Sequence, residues 1–150
     1  MNLPHFNIFK IFLGHLARKT WWIPHLCKYL HVLRGVQFKD RDSVFISSAV
    51  VIDNRFPEKV YIGSDVWLTH GVIILAHSYR SNYHAENLNL EEQVKAVKIG
   101  DGVFVGAGSI ILPGAEIDTG VYIAAGSVVT GCFGKNLLIG GNPAKKIKVL

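Results

Sequence analysis

Apolar residues recur along this chain with a period of six. From Val44 every sixth position reads Val44, Val50, Phe56, Ile62, Leu68, Ile74; from Ile99 it reads Ile99, Val105, Ile111, Ile117, Ile123, Val129. All twelve are apolar, where a composition of 49% apolar residues would give about half. Four places on in each hexad stand Ser48, Asn54, Val60, Val66, Val72 and Ser78, then Val103, Ser109, Ala115, Val121, Ser127 and Phe133; ten of these twelve are Ser, Ala or Val. Neither the 3.6-residue beat of a helix nor the two-residue alternation of a simple strand produces six. A three-sided column does. Each hexad is a short strand plus a turn, three hexads close one coil, and the aliphatic residue points inward to stack on its equivalents above and below. The small residue fits near the tight corner. Gly63, Gly102, Gly108, Gly114, Gly120 and Gly126 are expected to supply positive φ in the turns. The fold class expected is all-β, a parallel β-helix of about four to five coils.

The beat fails in two places. Residues 80–98 do not follow it and carry Asn82, His84, Glu86, Asn87, Asn89, Glu91 and Glu92, so a loop protruding from a corner is expected. Residues 1–39 read as helix, with Pro4 at the start and Pro24 between two helices, Trp21 and Trp22 just before the break. The division expected is therefore an N-terminal helical segment over 1–39 and the β-helix over 40–150. The segment has two readings. It is a cap over the open first coil, which every solenoid needs, or a basic amphipathic face resting on an anionic membrane with its tryptophans at the interface.

Charge sharpens that choice. The net charge of +5 lies in residues 1–39, which hold Lys10, Arg18, Lys19, Lys28, Arg34 and Lys39 and no carboxylate. The repeat body is not basic, which argues against nucleic-acid binding. No apolar run reaches membrane-spanning length, and no signal peptide is expected. Cys27 and Cys132 form no metal-type spacing and read as reduced thiols of a cytosolic protein, with Cys27 packed on a helix face.

Three stretches carry a family resemblance: Ile99-Gly100-Asp101-Gly102-Val103-Phe104-Val105-Gly106-Ala107-Gly108-Ser109, Ile123-Ala124-Ala125-Gly126-Ser127-Val128-Val129-Thr130, and the ending Gly140-Gly141-Asn142-Pro143-Ala144-Lys145-Lys146-Ile147. Residues 44–150 resemble the hexapeptide-repeat acetyltransferases, above all surface-polysaccharide O-acetyltransferases and the galactoside, maltose and streptogramin branch. The resemblance implies a left-handed parallel β-helix, a homotrimer with active sites in clefts between subunits, acetyl-CoA as donor and no metal. It implies His77, just ahead of the protruding loop, as general base. The chemistry requires one, because a sugar hydroxyl is a poor nucleophile until its proton is removed, and imidazole titrates near neutral pH. For the cofactor it implies Phe104 where that branch often has Trp beside the thioester, and Ala107 and Ala125 where small residues admit the pantetheine arm. Thr130 matches too, though Gly131 replaces the Lys that commonly follows. Asn142 and Pro143 are expected to border the adenine end, and Lys145 and Lys148 to meet the phosphates. Tyr79, Arg80 and Asn82 are candidate acceptor contacts. The helical preface favours a carbohydrate acceptor, a polysaccharide hydroxyl that can be lipid-linked, at the cytoplasmic face of the membrane.

Two other classes are open. His70 and His84, seven residues either side of His77, invite a zinc site as in γ-class carbonic anhydrases, although those enzymes use a pair five apart. A non-catalytic scaffold that binds membrane or a partner through residues 1–39 is the other. The sequence names neither the group that orients His77, for which Glu86, Glu91 and Glu92 are merely near, nor the amide that would stabilise an oxyanion.

Overall fold

The computed structural model describes residues 7–150. The body is a column with three faces of short parallel strands. One face stacks Gln37–Phe38, Val60–Ile62, Val97–Ile99, Glu116–Ile117 and Cys132–Phe133. A second stacks Phe45–Ile46, Trp67–Leu68, Phe104–Val105, Tyr122–Ile123, Leu137–Gly141 and, antiparallel at its end, Ala144–Val149. The third stacks Val51–Ile52, Ile73–Ile74, Ile110–Ile111 and Val128–Val129. Phe104 pairs with Tyr122 and Ile110 with Val128, each eighteen positions on, which is three hexads.

The reason six works is visible in the core. Ile62, Leu68, Ile74, Ile99, Val105, Ile111, Ile117, Ile123 and Val129 all point inward and are buried. Two places before most of them, Val66, Val72, Val103, Ala115 and Val121 are buried too, with Ser109 and Ser127 holding Ala124's carbonyl. Each inward aliphatic contributes about 1.5–3 kcal/mol by leaving water. Gly106 shows how close the coils lie: a Cβ there would stand 2.5 Å from the amide nitrogen of Ala125. At the Gly63 turn the left-handed residue is Asp65 (φ 54), and Gly63 is needed for close approach to Asp101 instead.

The first coil departs from the expected phase. The residues that stack are Ile46 and Ile52, pairing with Leu68 and Ile74, not Val50 and Phe56. Ile52 and the next inward position, Ile62, are ten apart, so the corner between them holds four extra residues, with a short 3-10 turn at Pro57–Lys59. The hexads read from Val44 run through this insertion, which is why they fell out of step.

Residues 80–98 are not a featureless loop. His77–Ser78 leaves the corner, a short helix (Asn82–Leu88) follows, and Gln93–Val94 returns to pair antiparallel with His77–Ser78. The excursion ends earlier than the spacing implied, since Val97 and Lys98 already lie in register with Val60 and Tyr61.

Two helices precede the column, α1 (Ile8–Lys19) and α2 (Pro24–Leu33), with Pro24 in the first turn of α2 where its missing N–H costs nothing. Pro4 lies outside the described residues. Leu13, Ala17, Cys27 and Leu30 join the core of the first coil. The basic residues of this segment mostly hold it in place. Lys10 pairs with Glu58, Lys39 with Asp101, Lys28 donates to the carbonyls of Asp42 and Val44, and Arg34 is buried on the first coil. The helices still present Ile8, Phe9, Phe12 and Tyr29 to the outside, and the turn between them presents Trp21 and Trp22. No helix among the described residues is long and apolar enough to cross a membrane.

Candidate active site

His77 leaves the column at the edge between the four-stranded and five-stranded faces, three residues after inward Ile74. Its backbone is pinned by Val94, and its ring packs between Phe56 (centroids 5.5 Å apart) and Tyr79 (4.6 Å), edge to face with both. The residue is only 8% exposed.

The ring is held by Asp53, which stands one coil earlier at the four-residue insertion. Asp53 Oδ2 lies 2.6 Å from His77 Nδ1, and Asp53 is 1% exposed. The carboxylate also accepts the amides of Ala76 at Oδ2 (2.7 Å) and of Arg55 (2.8 Å) and Phe56 (2.9 Å) at Oδ1. Burial by itself would raise this carboxyl. The hydrogen bonds from Phe56, Ala76, His77 and Arg55 outweigh it and hold Asp53 below the ordinary aspartate value. An ionised carboxylate only accepts, so Nδ1 of His77 carries the proton and Nε2 of the neutral ring carries the lone pair. Nε2 is buried and has no partner among the described residues.

Arg55 ties the excursion to this corner. Its guanidinium pairs with Glu92 and lies 5.0 Å from the Phe56 ring and 5.6 Å from the Tyr79 ring. Sequence reasoning missed Asp53, Arg55 and Phe56. The available signal was the ten-residue gap between Ile52 and Ile62 where six is the rule. Of the loop carboxylates weighed from sequence, Glu92 is engaged by Arg55.

The remaining residues named from sequence fall elsewhere. Phe104 is on the outer side of the six-stranded face, stacked on Tyr122 at 4.4 Å, with Phe45 and Trp67 continuing the row. Lys148 lies opposite Leu138, which is in register with Tyr122, so it shares that outer side; Lys145 lies opposite Gly140. A register shift in the strand pair lets lysines three apart share one side. Ala107 and Ala125 stack at the edge between the six- and four-stranded faces, where Gly126 donates to the Ala107 carbonyl. Thr130 stands exposed at the same kind of corner as His77, and Asn142 and Pro143 form the exposed terminal hairpin turn. Tyr79 touches His77, while Arg80 and Asn82 are exposed at the start of the excursion. One chain thus brings Phe104, Lys145 and Lys148 onto one face and leaves His77 on an edge that does not border it.

His70, His77 and His84 do not converge. His70 sits beside Ser48 (2.7 Å) and His84 beside Ser81 (2.6 Å), each on its own element. Among the described residues no three side chains of metal-ligating type gather.

A three-sided column of parallel strands built on a six-residue step is the frame expected of the hexapeptide-repeat transferases. Residues 96–131 match the family described as bacterial transferase hexapeptide (six repeats). The chain is 44% identical over 98 residues to protein CapG of Staphylococcus aureus, covering 61% of this chain and 54% of that protein. It is 36% identical over 123 residues to a putative lipopolysaccharide biosynthesis O-acetyl transferase, WbbJ, of Escherichia coli K12, covering 77% and 61%. The chain spans about half the length of the curated relatives it matches. Its fold is that of a maltose O-acetyltransferase from Clostridium difficile 630, with a TM-score of 0.65 at 22% identity over 94% of this chain and 88% of that one. The resemblance read from the repeats is borne out: proteins named acetyltransferase or putative acetyltransferase stand among the relatives and the solved structures that this chain resembles.

Proposed function

We propose that this chain transfers an acetyl group from acetyl-CoA to a hydroxyl of a sugar or surface polysaccharide, with His77 as the general base. One observation carries the reading: a buried imidazole whose Nδ1 is committed to Asp53 and whose Nε2 has no partner among the described residues. In the proposed step Nε2 takes the acceptor's proton as its oxygen attacks the thioester carbonyl. The new C–O bond forms, the C–S bond breaks, and His77 returns the proton to the departing thiolate. Asp53 stays ionised and steadies the imidazolium. General-base assistance of this kind is worth roughly two to four orders of magnitude.

The donor side fits the residues present. The aromatic row of Phe104 and Tyr122 offers an apolar wall, Ala107 and Ala125 leave an edge open to a slender chain, and Lys145 and Lys148 supply charge for phosphates. These groups lie away from the edge that bears His77. A second copy supplying that face completes the site, which supports a homotrimer of left-handed β-helices of about four to five coils each. Tyr79, Arg80 and Asn82 are assigned to the acceptor side, Thr130, Asn142 and Pro143 to the cofactor. Of the 1–39 segment, the described residues 7–39 are assigned as a cap on the column, and a cytoplasmic location with peripheral contact at the inner face of the membrane completes the reading. Support for that contact comes from the exposed Trp21 and Trp22 more than from charge, since four of the six basic groups are engaged internally.

The test is release of free thiol from acetyl-CoA with a panel of glycan acceptors, wild type against His77→Ala, with metal analysis alongside. Acceptor-dependent release that falls at least about 100-fold in the variant supports the proposal. Equal rates remove His77 from the mechanism, and stoichiometric zinc favours the carbonic-anhydrase-like alternative.

A further inference from the structure

We propose that Arg34, carried by the helical cap, is a positioning residue that fixes Asp53 against His77. The inference rests on reading His77 as the base.

Arg34 follows α2 as its C-terminal cap residue and is 1% exposed. Its guanidinium grips three consecutive residues of the first coil. Nη2 donates to the Ile52 carbonyl (2.6 Å), and Nη1 donates to the Asp53 carbonyl (2.8 Å) and to Asn54 Oδ1 (3.1 Å). Nε donates to Nδ1 of His31 (3.1 Å), a neutral buried ring able to accept it. Ile52 ends its strand opposite Ile74 and the Asp53 amide still donates to the Ile74 carbonyl, and the four-residue insertion that takes the chain off the column follows directly. An insertion has no strand neighbour to set its shape, so side chains must do so. The division of labour follows from the backbone. Carbonyls of Ile52 and Asp53 face the guanidinium, while amides of Arg55 and Phe56 face the Asp53 carboxylate. Arg34 therefore holds the carbonyls of the turn whose amides hold the carboxylate that meets His77.

Helix α1 presses on the same point. A Cβ at Gly14 would stand 2.3 Å from Asn54 Oδ1 and 3.0 Å from Arg34 Nη1. Burying a cation here is costly: burial, opposed by the attraction of the Asp53 carboxylate, lowers the Arg34 guanidinium to about 10, still charged at neutral pH. An anchor needed only to attach the cap would not require a buried charge on the turn that carries the carboxylate.

The experiment is a double-mutant cycle on the full chain: Arg34→Met, Asp53→Asn and the pair, read as kcat and KM for thiol release. Arg34→Met is expected to lower kcat about tenfold with KM for acetyl-CoA within about twofold, and Asp53→Asn about 100-fold. The pair should fall no further than Asp53→Asn alone, because Arg34 acts only through that carboxylate. Additive losses, about 1,000-fold in the pair, would overturn the assignment. Arg34→Lys, which keeps the charge and loses the fork, should recover part of the rate. A second readout is independent of activity: the proton resonance of His77 Nδ1, sharp in wild type, should broaden by exchange in Arg34→Met. An unchanged resonance also overturns the assignment, whatever His77→Ala does to the rate. If Arg34→Met does not fold, Gly14→Ala keeps the guanidinium but crowds it against Asn54 and disturbs its grip on the turn; it should broaden the same resonance, and no change there would count against the proposal.

Discussion

Asp53 Oδ2 and His77 Nδ1 lie 2.6 Å apart, joined across one coil although 24 positions separate them in sequence. The pairing makes Nδ1 the proton-bearing nitrogen and turns Nε2 outward from the carboxylate as the basic one. Replacing Asp53 with Asn should leave the coil intact and cost kcat about 100-fold or more, since the amide no longer enforces that tautomer. Steady-state kinetics beside circular dichroism checks this; a variant with wild-type kcat would remove Asp53 from the mechanism.

Acid should weaken the cap through His31. Burial, then the adjacent Arg34 charge, lowers this imidazole to about 3, whereas an exposed histidine titrates near 6.5. The unfolded chain therefore binds a proton that the folded one refuses. Stability is full above about 6.5 and declines as pH falls toward 3, by about 1.4 kcal/mol per pH unit at the steepest. Thermal melts between these limits should show a shallower pH slope for His31→Gln than for wild type.

Coil spacing gives a purely structural prediction. Gly106→Ala drives a methyl onto the backbone of Ala124 and Ala125, neither of which is a flexible side-chain end. A loss of about 1–3 kcal/mol in denaturant unfolding is expected, against little change for a substitution of exposed Lys135.

The outer lysines address the donor. Lys148→Gln should raise KM for acetyl-CoA about three- to fivefold with kcat nearly unchanged, the amount an exposed charge contact is worth. The difference should shrink as salt is added. A kcat effect without a KM effect would move Lys148 out of the cofactor path.

The column was legible because its signal is local and repeated: each inward residue from Ile62 to Ile74 and from Ile99 to Val129 reports the same six-residue step. His77 was legible because it sits where that step stops. Asp53 was not, because the insertion that follows it shifts the first coil out of phase, so that the sequence does not show Ile52 stacking on Ile74 and Asp53 coming beside His77. The first-coil residues Val44 and Val50 show the cost. They are buried, yet they occupy the positions flanking the stack, with Ile46 and Ile52 in the stack itself. The basic residues of 1–39 misled in another way. Composition records their charge but not that Arg34 and Lys28 are buried among carbonyls.

The most direct test of the oriented base is the tautomer of His77, read by nitrogen NMR on protein labelled at the imidazole and assigned through His77→Gln. The neutral ring is expected to carry its proton on Nδ1, with Nε2 bare, and to lose that preference in Asp53→Asn. A wild-type ring protonated on Nε2 would leave no lone pair for an incoming hydroxyl and would contradict the account.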